Sequence, residues 1–202
     1  MTATAEQLLP WLQFWQQPWQ LMHDSWVAVS IPASLHGPGR GQAHPLWQHL
    51  DATQLRQMFD LTDEAPSMPG DVLLQWVVLS NEQRRQVLNL AAEVAVRQSG
   101  AHGISPADVS WCRHLAKALM PGNWSVAQHP HLPGEQVGLA LLQQWMSVAT
   151  WSRARLCFPS DWVLSLQHLG LEPVPANRLN QLWHAVMWRI ANSQAEEVGN
   201  GG

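Results

Sequence analysis

The sequence predicts a mainly α-helical protein, and three observations carry that prediction. Proline and glycine clusters punctuate the 202 residues at regular intervals. The segments between them are long enough for helices, and most repeat apolar residues at helical spacing. Hydrophobic residues make up 46% of the chain, which suits a packed core. A chain of this length buries roughly two-thirds of its unfolded surface without needing disulfides or a metal. The expected architecture is a single compact multi-helix domain over residues 1–195, with about seven helices and at most one short strand. Residues 1–41 read as an N-terminal Trp-rich helix followed by a Pro/Gly-rich linker. Residues 196–202 read as a disordered tail.

Taken in order, the first helix covers residues 5–17, with Leu8, Leu12 and Trp15 on one face, and Pro18 ends or kinks it. Residues 26–31 (Trp-Val-Ala-Val-Ser-Ile) are β-branched and alternating, and this is where a lone strand could form. The next helix, over 51–59, takes Asp51 as N-cap and groups Leu55, Met58 and Phe59. Residues 71–79 lead into a helix over 81–98. Ser80 and Gln83 have capping-box spacing there, so Ser80 either caps a new helix or sits at a bend. Val87, Leu88, Ala91, Val94 and Ala95 form its inward face, Arg84 and Arg85 lie near an exposed start, and Gly100 supplies the stop.

Ser105, Pro106 and Asp108 write the clearest helix start of the chain: a cap, a proline at the first position and a dipole-complementing carboxylate. Val109, Cys112, Leu115, Ala116 and Leu119 then share a face up to Pro121-Gly122. A fifth helix is expected as one piece over 134–155, with Val137, Leu141, Trp145, Val148 and Ser152 as its stripe. Ser160-Asp161 opens a short helix ending near Gly170. Residues 175–192 carry the strongest amphipathic pattern, with Leu179, Leu182, Trp183, Val186, Met187 and Ile190 on one side.

Composition excludes several function classes. The formal charge is −4, charged residues are only 13% of the chain, and Lys117 is the single lysine. No cationic excess exists to displace counterions from phosphates, so nucleic-acid binding is not expected. Apolar runs fall short of a membrane span and no basic leader opens the chain, so a soluble cytoplasmic protein without membrane insertion is expected. Cys112 and Cys157 read as buried thiols.

Ten histidines invite a metal hypothesis, but their spacing does not support one. His129 and His131 are two apart in a Pro-rich loop, and His44 and His49 miss the i, i+4 geometry of a helical ligand pair. Cys112 and His114 lie roughly 200° apart at helical pitch, so they form no nucleophile–base pair. Gly37-Pro-Gly-Arg-Gly41 lacks the strand and helix that frame a phosphate loop. Neither catalytic residues, nor a metal, nor a cofactor are expected.

What stands out is the indole content: 13 tryptophans, 3 phenylalanines and no tyrosine. Trp76, Trp145 and Trp183 sit in apolar stripes and read as core. Trp11, Trp15 and Trp19, at spacing four, either dock on their own domain or face a partner, and Trp124 in its Pro-Gly-Asn-Trp loop is a further candidate for exposure. The candidate partner-binding residues are therefore Trp11, Trp15, Trp19, Trp124, Arg84 and Arg85. A surface poor in Lys, Asp and Glu and rich in Gln, Trp and Arg has the composition of an interface.

Several stretches carry a family resemblance. These are Val78-Leu79-Ser80 leading into the helix that holds Leu88 and Gln98, Gly138-Leu139-Ala140 and its helix up to Trp145, and Arg153-Ala-Arg155-Leu156 before Phe158-Pro159. Together with the length and the Pro-punctuated Trp/Leu/Gln-rich helices, they make the chain resemble the small cytoplasmic K component of bacterial type III secretion injectisomes, a sorting-platform accessory protein. The resemblance implies a mainly helical, non-enzymatic adaptor bound to the cytoplasmic domain of the inner-membrane ring protein and to the pod scaffold protein. It implies a place at the cytoplasmic face of the inner membrane once assembled, with a monomer expected before assembly. The alternatives are a type III secretion chaperone or regulator and, in a different class, a small metal- or thiol-dependent enzyme.

Overall fold

A computed structural model describes residues 4–30, 50–97, 104–129 and 131–199. Gly37 to Gly41, His44, His49 and the stop expected at Gly100 lie outside the described residues. Among those described are ten α-helices and no strand: α1 (Ala5–Gln16), α2 (Ser25–Ser30), α3 (Ala52–Met58), α4 (Asp71–Val77), α5 (Asn81–Val96), α6 (Pro106–Leu119), α7 (Gly134–Trp145), α8 (Val148–Ala154), α9 (Ser160–Leu166) and α10 (Ala176–Gly199). The protein is mainly α. Its backbone groups into two compact units interleaved in the chain, Met1–Pro69 with Ser147–His168, and Gly70–Met146 with Leu169–Gly202. No composition shift in the sequence marks that interleaving.

The second unit is organised around α5, which packs against α6, α7 and α10. Its interior face from Val87 to Ala95 is buried almost without interruption. Ser80 caps it with a full capping box: Gln83 N–H donates to Ser80 Oγ at 3.2 Å, and Ser80 N–H donates to Gln83 Oε1 at 2.7 Å. Ser80 therefore starts a new helix, the first of the two options its spacing left open. Gly138 of α7 lies against the backbone of Leu88, where an added Cβ would stand 2.2 Å from the carbonyl oxygen. Only glycine permits that approach. All six residues of the α10 stripe, Leu179 to Ile190, are buried, as the amphipathic pattern predicts. The α10 backbone also stays helical through 196–199, where a frayed tail was expected.

The first unit holds α1, α2, α3, α8 and α9. Its α3 starts as expected: Asp51 Oδ1 accepts from Thr53 and Gln54 N–H, both at 2.8 Å. Two expectations are corrected here. The alternating stretch from Trp26 is helical, not extended. Trp26 and Val27 N–H donate to the His23 and Asp24 carbonyls at 3.1 Å each, and Trp26 is buried while Val29 is exposed. A run of six residues is too short for its period to decide, and the buried indole fixes the helix instead. On α1, Leu12 faces solvent, and the inward face is Trp11, Phe14 and Trp15.

The helix expected over 134–155 is broken at Met146 and Ser147. Met146 adopts an extended ψ of 149°, and Ser147 caps α8 by accepting from Thr150 N–H at 3.2 Å. A Ser three residues before Thr is a local cap that competes with continuation. Val148, expected in the apolar stripe, is consequently exposed.

Candidate functional site

In the first unit α1 turns its indoles inward. Trp11 stacks on Phe14 and Trp15 at centroid separations of 5.6 and 5.2 Å. The Trp15 indole N–H donates to the Glu64 carbonyl at 3.1 Å. Above the Trp15 ring, 4.0 Å from its centroid, lies the guanidinium of Arg153 from α8. Arg153 is buried and binds uncharged oxygens: its Nε donates to the Trp15 carbonyl at 3.0 Å, its Nη1 to the Ala149 carbonyl at 2.9 Å and its Nη2 to the Thr62 carbonyl at 2.8 Å. Thr62 Oγ1 accepts a further bond at 3.2 Å. The planar fork of arginine suits this, because it reaches several carbonyls at once while its face covers an indole. Burial lowers its pKa, and the neighbouring Arg56 acts in the same direction.

Arg155 repeats the device two residues on. Its Nη2 donates to the Phe59 carbonyl at 2.6 Å and its Nε to the Ser152 carbonyl at 3.2 Å. The guanidinium sits 5.5 Å from the Trp26 ring centroid, and the Trp26 indole N–H donates to the Phe158 carbonyl at 2.9 Å. The second unit holds a third copy. Arg84 lies 5.0 Å from the Trp76 centroid, with Nη2 on the Val77 carbonyl at 3.0 Å and Nη1 on Asn81 Oδ1 at 3.1 Å. In each case the cation ties a helix end to an indole.

These contacts relocate the sequence-predicted partner residues. Trp11, Trp15 and Trp124, candidates for a partner-facing surface, and Arg84, expected near an exposed helix start, are all buried. For Trp11 and Trp15 the reason is the aromatic cluster and the Arg153 cover. For Arg84 it is the carbonyl-capping position beside Trp76. Trp124, which joins the two 3-10 turns Pro121–Asn123 and Ser125–Gln128, is buried. Trp19, on the 3-10 turn Pro18–Leu21, is half-buried. Arg85 is the one candidate that is exposed, 3.7 Å from Glu135, a separation and setting worth little energetically. Sequence reasoning does not single out Arg153, which is buried, or Arg155, which is half-buried. The signal available was two arginines amid the apolar run from Trp151 to Phe158.

The apolar side chains that do reach solvent are different ones. On α1, Leu9 is 56% and Leu12 40% exposed, one turn apart. Leu21 follows them, and in the second unit Trp188 is 60% exposed on α10. Beside Trp15 and Arg153 a cavity of about 210 Å³ opens, lined also by Arg56, Thr62, Asp63 and Glu64. Its walls carry charges of both signs.

Nucleophilic groups are poorly placed. Cys112 is enclosed, its thiol donates to the Leu90 carbonyl at 3.6 Å, and burial followed by the Glu93 and Asp108 carboxylates pushes its pKa up to about 12. His114 bonds the Ser110 carbonyl at 2.8 Å. The His129 and His131 rings meet edge to face at 5.7 Å. Among the described residues no three His, Cys, Asp or Glu side chains converge as a metal site requires. Nor does any described helix have the length and apolarity to cross a membrane.

Fold and site together define a mainly α-helical protein whose helix ends are tied by arginine–indole contacts. Comparison with protein-family models, curated proteins and solved structures returns no match to this chain.

Proposed function

We propose that this chain is a non-enzymatic adaptor of a bacterial type III secretion injectisome, linking the cytoplasmic domain of the inner-membrane ring protein to the pod scaffold protein. The family resemblance names the partners, and the outward leucines of α1 supply the surface. Leu9 and Leu12 stand exposed on a helix whose inward face is filled by Trp11, Phe14 and Trp15. That is the single observation on which the reading rests. A folded helix that already has a complete apolar inner face needs no further leucine for its own packing. Exposed leucines one turn apart suit a helix groove on another protein. The adaptor works at the cytoplasmic face of the inner membrane, and its partner surface is leucine-bearing rather than indole-bearing.

The test is capture with purified components. The tagged chain is mixed with the ring protein's cytoplasmic domain and with the pod protein, alongside Leu9→Asp/Leu12→Asp. The wild type should retain both, and the double variant should lose at least one while keeping its helical circular dichroism. Failure of the wild type to hold either component overturns the proposal.

A further inference from the structure

The cavity beside Trp15 lies wholly within the first unit, and Arg56, Arg153, Asp63 and Glu64 stand around it. Trp15 and Arg153 are buried, Arg56 and Thr62 half-buried, and Asp63 and Glu64 exposed, so it runs from an enclosed floor to an open rim. The rim is anchored to that floor. The Thr62 carbonyl accepts from Arg153 Nη2 at 2.8 Å and the Glu64 carbonyl from the Trp15 indole N–H at 3.1 Å. Asp63 is thereby carried between two fixed neighbours. Arg56, in the last turn of α3, belongs to the same frame, because the Leu61 N–H donates to its carbonyl at 2.9 Å. Yet the charges do not neutralise one another. Among the described residues the Arg56, Asp63 and Glu64 side chains make neither an ion pair nor a hydrogen bond, and Arg153 binds only carbonyl and hydroxyl oxygens. They do act on each other across the space: burial lowers the Arg153 pKa, Arg56 lowers it further, and Glu64 and Asp63 oppose both. Two guanidiniums and two carboxylates thus border one cavity without a contact between opposite signs.

We propose that this cavity binds a small zwitterion, a free α-amino acid, with its carboxylate on Arg56 and Thr62 and its ammonium toward Asp63 and Glu64. The sign pattern selects that class. A simple anion meets the two carboxylates and a simple cation meets the two guanidiniums, whereas a molecule carrying both charges is attracted at both ends. A metal ion is a poor fit, since no three His, Cys, Asp or Glu side chains converge among the described residues. Size points the same way: about 210 Å³ lies below the roughly 300–1,000 Å³ of sites for drug-sized ligands. Arg153 contributes its field but no donor, because its fork is spent on protein oxygens. Arg56 supplies the contact, and its planar fork matches a carboxylate bidentately. It also borders a second cavity of about 290 Å³, which gives its side chain room to turn. Thr62 Oγ1 accepts from Arg153 Nη1 at 3.2 Å, so its own hydroxyl proton is left to donate to the ligand. The anchored rim lowers the ordering cost of binding.

The experiment titrates the nitrogen-15-labelled full chain with L-alanine and with L-glutamine and follows the indole N–H signals by NMR, that of Trp15 being assigned with Trp15→Phe. At least one of the two should shift the Trp15 signal saturably, with a Kd of about millimolar. N-acetyl-L-alanine, which lacks the ammonium, and L-alaninamide, which lacks the carboxylate, should each bind at least about tenfold more weakly than L-alanine. Arg56→Gln and Asp63→Asn should each cost about tenfold in affinity for the amino acid. Both variants should stay folded, because each alters a side chain that is not fully buried and has no partner within the described residues. Their unchanged circular dichroism checks this. The proposal is overturned if neither amino acid gives a saturable shift up to its solubility limit. It is equally overturned if a derivative missing one charge binds as tightly as L-alanine, or if either folded variant keeps the wild-type affinity.

Discussion

Replacing Gly138 by Ala should destabilise the second unit, even though alanine is the better helix former. The close approach of α7 to α5 decides the sign. A Cβ at position 138 would stand 2.2 Å from the Leu88 carbonyl oxygen and 2.7 Å from both its carbonyl carbon and its Cα. Ordinary contacts between carbon atoms fall near 3.5–4.0 Å, so relief demands a displacement of about 1 Å. All three atoms are backbone, in the buried middle of α5, so no side chain can rotate away and the helices must part. Overpacking of this kind costs typically about 1–3 kcal/mol, and a backbone obstacle belongs at the upper end. A gap of about 1 Å forfeits up to half of each dispersion contact along the seam. Against this, Gly→Ala in a helix interior gains about 1 kcal/mol. The net expectation is a loss of about 2 kcal/mol or more. In urea, with a slope of about 2 kcal/mol/M, the midpoint should fall by about 1 M. Gly134→Ala is the internal control. Its Cβ would meet the Asn89 side-chain oxygen at 3.3 Å, and that side chain can yield, so its midpoint should move little. If Gly138→Ala were neutral, or stabilised as an exposed helical glycine would, the α5–α7 seam could not be as tight as described.

Two further outcomes follow from the buried arginine and the buried thiol. Arg153→Lys should destabilise the first unit by about 2–4 kcal/mol, because a single ammonium cannot serve the Trp15, Thr62 and Ala149 carbonyls together, and each buried acceptor left alone costs about 1–3 kcal/mol. Thermal unfolding monitored by tryptophan fluorescence measures this, and an unchanged midpoint would show the fork to be dispensable. Cys112, with its thiol pKa pushed up to about 12, should carry roughly one thiolate in ten thousand at pH 8 and resist an aromatic disulfide reagent until denaturant is added. Prompt labelling of Cys112 in the native protein would contradict its enclosure.

Much of the local structure is legible in the sequence because it depends on near neighbours. The caps at Asp51, Ser80 and Ser105 are each written within three residues, and each forms. The α10 stripe needs only its own period of 3.6, and its six apolar residues are all inside. What was not legible depends on partners far along the chain. The inward turn of Trp15 is set by the Glu64 carbonyl, 49 residues away, and by Arg153, 138 residues away. A helical wheel shows that Leu8, Leu12 and Trp15 share a side, but not that the neighbouring sector through Trp11 and Phe14 is the buried one. The break at Ser147 was legible in principle, since Ser and Thr three apart form a cap. It was hidden because Trp145, Val148 and Ser152 continue a helical stripe across it.

The arginines explain why leucine, and not indole, faces solvent on α1. Charged residues are scarce in this chain, and a sequence-level argument places its arginines outside by default. Three of the eleven basic residues instead lie against indoles, each donating to a backbone carbonyl. An indole covered by a guanidinium is unavailable to a partner, and a guanidinium held on carbonyls is unavailable to a partner's carboxylate. Both ingredients expected at an interface are thereby drawn into the fold by each other. On α1, what remains outside is what neither can pair with: the aliphatic side chains of Leu9 and Leu12, which have no polar end to hold and no ring to cover. Any association through α1 must therefore be dominated by apolar burial, with geometry set by the helix rather than by charge.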